Sequence, residues 1–293
     1  MQKNTNAHLL ILFATFLSGG SFIITQKLTG GISPYSITLL RFTISFLILL
    51  PFVFIKKEYR KNILSTFKRA MVISFFYAAF FIGMFIALEY TTALNTGTIF
   101  TFVPLLTAIF SIFAFGQKIA FRKYFIYFIG IIGTSLVVFK GDIDMFFSLS
   151  LNKGDIIFFI SIIFIALYSI SAKYFYRKDD NILVLVFMTL VGGSIWMAIA
   201  IFILNIPLEW DKIDGKQFLY IGYLSIAATL ITAYLYQKTN IVLGPKKVMA
   251  YTYLTPATIA LLSFIFEFKL INIWMFIGIL ISSLITIVLL KGE

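Results

Sequence analysis

Cysteine is absent from the 293 residues, histidine occurs once, and only 12% of the residues carry charge. Each shortage excludes a class of chemistry. Without cysteine the chain has no disulfide, no thiol nucleophile and no thiolate ligand, although this absence names no compartment. The single histidine, His8, cannot make a histidine-based metal site. A soluble domain carries roughly 25% charged residues, about twice the share here. What fills the sequence instead is apolar: 60% hydrophobic and 18% aromatic, with a mean hydropathy of +1.00. The apolar residues come in blocks of about 20, the helical length that crosses roughly 30 Å of hydrocarbon at 1.5 Å per residue. The chain therefore reads as an all-α integral membrane protein embedded in a lipid bilayer. Its net charge of +12 does not imply nucleic acid, because the basic residues are scattered through short connections. The short head "MQKNTNA" is followed by no small-residue cleavage site, so the first block reads as a retained span rather than a signal peptide.

Apolar runs between charged or Gly/Pro-rich breaks predict ten transmembrane helices, at about 8–26, 34–55, 69–89, 94–115, 121–139, 155–175, 181–204, 216–237, 247–266 and 271–290. A tight polar turn, "EYTTALN", separates the third from the fourth. With both termini placed inside, the inner connections hold 17 of the 24 lysines and arginines and the outer ones six, with Arg41 inside a span. Positive charge is retained on the cytoplasmic face, so this asymmetry favours ten spans with both ends cytoplasmic in the cell membrane.

The connection "KGDIDMFFSLSLNKGD", 140–155, divides the chain into two sets of five spans. A shift of 146 lays "FIITQKL" (22–28) on "YSISAKY" (168–174), and a shift of 152 lays "FVPLLTAIFS" (102–111) on "LTPATIALLS" (254–263). Pro104 then falls on Pro256, Ala108 on Ala260 and Ser111 on Ser263. Because five is odd, such halves insert with opposite orientations. An inverted repeat places a site near the midplane, between the halves.

The segments "ITLLRFTISFLILLP" and "ALEYTTALNTGTIFTFVPLLTAIFSIFAFGQKIAFRKY", with the matching stretch around Pro256, resemble the EamA family of the drug/metabolite transporter superfamily. The resemblance implies two family repeats, at 8–139 and 154–290, arranged as two inverted five-helix units. It also implies export, facilitated diffusion or exchange of small polar or amphipathic metabolites, amino-acid-like, by alternating access. The sequence departs from the family pattern at Gln117, where a glutamate is usual, and at Phe268-Lys269 in the second repeat. The partners expected are a small-molecule metabolite and the bilayer, with no cofactor, and the protein is expected to be a monomer or homodimer. Carriage of a nucleotide-like or cofactor-sized solute is the rival transport reading. An intramembrane enzyme would need a facing nucleophile and base or a metal-ligand set, and the residues do not supply them.

Pro104 and Pro256 each lie about ten residues into a span. Proline removes a backbone N–H and clashes with the carbonyl four residues earlier, which opens carbonyls near Phe100 and Thr252 either for substrate or for a packing kink. Around them stand Thr98, Thr101, Tyr251, Thr252, Tyr253 and Thr255, with Tyr77 and Tyr168 on other spans. Serines and threonines at 18–21, 25, 169, 171, 229 and 232 add hydroxyls. Such groups line cavities for amphipathic or zwitterionic solutes, but they also bond their own helices or sit at the interface. No carboxylate falls mid-span, which favours facilitated diffusion or exchange over proton coupling. Arg41 lies seven residues into span 2. It reads as a snorkelling side chain, as a ligand for a substrate carboxylate, or, the preferred reading, as a structural tie at the outer gate to Glu89 and to the carbonyls ending span 1.

Overall fold

The computed structural model describes residues 2–28, 30–91, 93–142, 144, 152–268 and 270–291. Residues 143 and 145–151 of the expected 140–155 connection, and Lys269, lie outside the described residues. Ten helical spans are long and apolar enough to cross a bilayer: Asn4–Leu28, Pro34–Ile55, Lys57–Leu88, Asn95–Phe115, Phe121–Phe139, Lys153–Tyr174, Ile182–Leu204, Gly215–Leu243, Pro245–Phe266 and Ile273–Lys291. They are numbered span 1 to span 10 below, and the described residues contain no strand.

The largest departure from expectation is span 3. The charged stretch 56–68, read as a connection, is helical from Lys57 onward, so the helix runs for 32 residues. At 1.5 Å per residue that is about 48 Å, well beyond the hydrocarbon layer. Its first turns project past the apolar zone, and lysine, arginine and glutamate are good helix formers. Charge ended the hydropathy signal there without ending the helix.

Local chemistry sets the boundaries. Pro34 opens span 2 in its first turn. Asn152 and Asp155 form a reciprocal capping box at the start of span 6, and Asp214 with Gln217 forms another before span 8. Asn181 accepts from the N–H groups of Leu183 and Val184 at span 7. Gly116, with φ of 63°, ends span 4 in the left-handed region, and Phe268, 152 residues later, ends span 9 with φ of 53°. A bulky residue pays a steric cost for that conformation.

The packing follows a twofold pattern. Span 3 lies on span 6 as span 8 lies on span 1; span 1 meets span 9 as span 6 meets span 4; spans 2 and 7, and spans 5 and 10, pair with each other. Small residues permit the closest approaches, as is usual where lipid supplies no hydrophobic drive between helices. A Cβ on Gly83 of span 3 would collide with the Ser161 side chain of span 6. One on Gly278 of span 10 would stand 2.5 Å from the Gly133 carbonyl of span 5.

Three spans are irregular. Span 4 is helical over Ala93–Phe100 and again over Val103–Phe115, with Pro104 as the second residue of the new helix. Span 9 passes from Pro245–Ala250 through a 3-10 turn, Tyr251–Leu254, into Thr255–Glu267, with Pro256 again second. In span 8 a π turn occupies Ile226–Ile231. Such wide turns inside α-helices are frequent at functional sites.

Candidate functional site

The irregular turns meet spans 1, 3 and 6 around a cavity of about 50 Å³. One wall is aromatic, with Phe22, Phe80, Phe81 and Phe100 beside Tyr77 and Tyr168. Tyr77 of span 3 and Tyr168 of span 6 stack at 4.3 Å between centroids and an interplanar angle of 19°. Phe100, at the end of the first half of span 4, meets Phe22 edge-on at 5.2 Å. The polar wall holds Ser18, Ser21, Thr232, Tyr236 and Thr252. A water needs roughly 10–15 Å³ on this measure. The space thus suits a few waters or the polar head of a small solute.

A second cavity, of about 250 Å³, shares Phe22 with the first and runs toward the end opposite the termini. Pro256, Ile259 and Ser263 of span 9, Gln26 of span 1 and Lys140 beyond span 5 line it. Among the described residues no carboxylate lines either space.

Of the candidates named from sequence, Tyr77, Tyr168 and Thr252 line the smaller cavity and Pro256 the larger. The others lie elsewhere. Tyr253 is fully buried and donates its hydroxyl to the Tyr127 carbonyl at 2.9 Å, a strut between spans 9 and 5. Tyr251 is hydrogen-bonded to Nδ1 of His8 at 2.9 Å, nearer the termini. Thr101 donates to the Thr98 carbonyl at 2.6 Å, and Thr252 to that of Met249 at 2.7 Å, so hydroxyls turn back onto the backbone at both breaks. Thr98, Thr101, Pro104 and Thr255 are buried but are not cavity-lining. Sequence reasoning weighed hydroxyls and missed most of the aromatic wall. The spacing of Tyr77, Phe80, Phe81 and Met84 on span 3, one helical face, was the signal available.

Arg41 corrects an expectation. Its guanidinium does not pair with Glu89, which is exposed at the end of span 3, nor with the carbonyls ending span 1. It does not snorkel either, being 1% exposed. Nε donates to Thr229 Oγ1 at 2.9 Å and Nη2 to the Ala228 carbonyl at 3.4 Å, both within the π turn of span 8. Its Cζ lies 4.1 Å from the centroid of Phe81. Ser45, one turn along span 2, donates to the Ser225 carbonyl at 2.8 Å. Span 2 is thus bound to the irregular part of span 8, which is why the arginine is tolerated in the bundle.

The tie expected of Arg41 at the far end of span 2 is made by other residues. Ser36 donates its hydroxyl to the Leu208 carbonyl, and the Ser33 N–H donates to Glu209 at 3.3 Å. Lys212 completes the contact at 2.6 Å from Glu209. Lys212, with the Ser33 N–H adding to it, holds the Glu209 carboxyl below the usual carboxylate range.

Ten membrane-spanning helices, broken at two prolines around an internal aromatic and hydroxyl-lined cavity, define a membrane transporter. The chain belongs to the EamA-like transporter family, whose profile matches residues 5–139 and again 152–291. It is similar to the uncharacterized transporter YyaM of Bacillus subtilis (strain 168), 26% identical over 270 residues, which covers 90% of this chain and 87% of that protein. An uncharacterized transporter of Archaeoglobus fulgidus is 24% identical over 264 residues, 89% of either chain. One solved crystal structure, 18% identical, shares the fold with a TM-score of 0.74 over 97% of this chain and 96% of that one.

Proposed function

We propose that the protein carries small polar or amphipathic metabolites, amino-acid-like in size, across the cell membrane by alternating access around the 50 Å³ cavity. The observation that carries this reading is the position of that cavity. It lies where both halves contribute, beside the breaks of spans 4 and 9 and the π turn of span 8, with stacked tyrosines and several hydroxyls facing one space. Two inverted five-helix units, 8–139 and 154–290, rocking about such a site expose it first to one face and then to the other. A nucleotide-sized solute would need far more room than this space offers, and among the described residues Lys140 is the only basic one lining either cavity. The lack of a lining carboxylate among the described residues favours exchange or facilitated diffusion, including export, over proton antiport.

Counterflow in proteoliposomes, with an amino-acid and organic-acid panel, tests the reading. Labelled solute should accumulate against unlabelled solute inside with no pH difference imposed. Uptake only under an imposed proton gradient would refute the coupling. The Lys/Arg asymmetry supports cytoplasmic termini. Lys61→Cys and Lys216→Cys should therefore label from opposite sides of intact cells, the second from outside. Same-side labelling would overturn that orientation.

A further inference from the structure

Arg41 has a feature that its structural role leaves over. Nη1 is buried and has no hydrogen-bond partner, although Nε and Nη2 are both satisfied. The ionisable groups within electrostatic reach are the tyrosines Tyr77 and Tyr223, and among the described residues no carboxylate joins them. A buried guanidinium is ordinarily held by an anion, since its desolvation is costly unless it is paired. Here its positive face lies on the Phe81 ring instead. Phe81, Tyr77 and Ala228 each line the small cavity, so the cation stands one side chain behind that wall.

We propose that Arg41 is the binding group for a carboxylate on the transported solute, and that the Phe81 ring covers it in the empty state. The inference rests on the transport reading and adds the chemical class: a small monocarboxylate with an apolar or aromatic body. Its carboxylate takes the free Nη1 and shares the guanidinium with Thr229, displacing the Phe81 ring from the cation face. Its body lies among Phe80, Phe100 and the stacked Tyr77 and Tyr168. A ring is a weaker partner for a cation than a carboxylate in a water-poor site. The exchange is therefore favourable once the solute has shed its water. The solute also completes the charge balance of the bundle, so the loaded carrier is better compensated than the empty one.

The test compares acids with their uncharged amides on the purified full-length protein. Acetate, benzoate and 3-phenylpropionate are titrated beside acetamide, benzamide and 3-phenylpropanamide, and binding is read from intrinsic fluorescence and thermal shift. Wild type should prefer at least one acid over its amide by roughly tenfold or more, as expected when a hydrogen-bonded charge is left unpaired by the analogue. Arg41→Gln should abolish the preference without weakening the amide, and Arg41→Lys should keep part of it. Phe81→Leu leaves the arginine in place and should tighten the acid by uncovering it, which keeps the test open if Arg41→Gln folds poorly. Equal binding of acid and amide, no acid binding across the series, or a preference that survives Arg41→Gln would each overturn the assignment. Loosened acid binding in Phe81→Leu would overturn the covering role. Flux in proteoliposomes separates the two layers. Acid binding without flux would defeat the transport reading and leave Arg41 assigned, whereas flux of amides but not acids would do the reverse.

Discussion

The two ends of the bundle are built differently. At the end that holds the termini, the helices are clasped by polar contacts, and one of these clasps joins the two halves. Arg69 of span 3 makes a two-pronged ion pair with Asp180, at 2.5 and 2.7 Å, and donates to the Phe175 carbonyl at 2.8 Å. Within the second half, Lys173 donates to the Ile241 carbonyl at 2.6 Å, Gln237 to that of Ala172 at 2.9 Å, and Ser169 to Asn240 at 2.8 Å. The space left there, between Lys123, Tyr127 and Lys246, is about 10 Å³. At the opposite end the cavity of about 250 Å³ reaches from Lys140 down to Phe22. The polar clusters there are the Glu209–Lys212 pair bound to the Ser33 N–H, and Asp155, which accepts from Thr91 at 2.5 Å, from Asn95 and from the Asn152 N–H. The ion pair at one end is buried, whereas the one at the other is more exposed and aromatic side chains there separate the two cavities. An ion pair and a set of hydrogen bonds can be released by water. An aromatic plug such as Phe22 on Phe100 opens only by rotation or helix movement.

The comparison can be broken most forcefully at the clasp. Asp180→Ala leaves Arg69 without its anion in a site where the two side chains are 11% and 4% exposed. It should cost about 1.5–3 kcal/mol, the range for hydrogen bonds to charged groups, read as thermal or denaturant unfolding in detergent. It should also raise labelling of cysteines introduced near Tyr127. Stability within error of wild type would mean the clasp is not what closes that end.

Asp155→Ala, at the other end, removes a capping box and the link to Thr91 but no ion pair. A loss of about 1 kcal/mol is expected, as for helix caps, with labelling near Tyr127 unchanged. A larger loss than in Asp180→Ala would invert the contrast drawn between the ends.

Smaller still in stability, and larger in flux, are the prolines. Each stands in the first turn of a helix, where its missing N–H leaves no intrahelical bond unmade. Pro256→Ala and Pro104→Ala should therefore fold in near-normal yield. Pro256 lines the larger cavity and Pro104 does not. Exchange should fall several-fold more in Pro256→Ala than in Pro104→Ala. Equal losses would assign both breaks to packing.

The smallest effect is expected at Glu209. A carboxyl whose folded value lies below its unfolded one, near 4.5, adds stability that is full above that unfolded value and fades as the pH falls through the lower folded one. Glu209→Gln should lower neutral stability slightly and flatten the acid limb of a melting profile by the same amount. Because the Glu209 side chain is 22% exposed and its lysine partner 58%, added salt should mask part of the difference.

The number of spans, the turn after Leu88 and the helix breaks before Pro104 and Pro256 were legible because each follows from local chemistry. Hydropathy summed over 20 residues measures the cost of leaving lipid, and proline acts on the four residues before it. The start of span 3 was misread for the same reason, since hydropathy records charge but not helix propensity. What the sequence could not determine is which face meets which. Phe113 is 81% exposed and Phe100 7%, yet both are phenylalanines in span 4. The partner of Arg41 lies 188 residues away, in a π turn of span 8 whose sequence, "IAATLI", carries no mark of it. Glu89 was chosen as the nearest acid by depth along the chain, but a buried guanidinium takes the oxygens that neighbouring helices present. That choice is made by tertiary packing, where spans 2 and 8 come together and only then bring a freed carbonyl and a threonine within hydrogen-bonding distance.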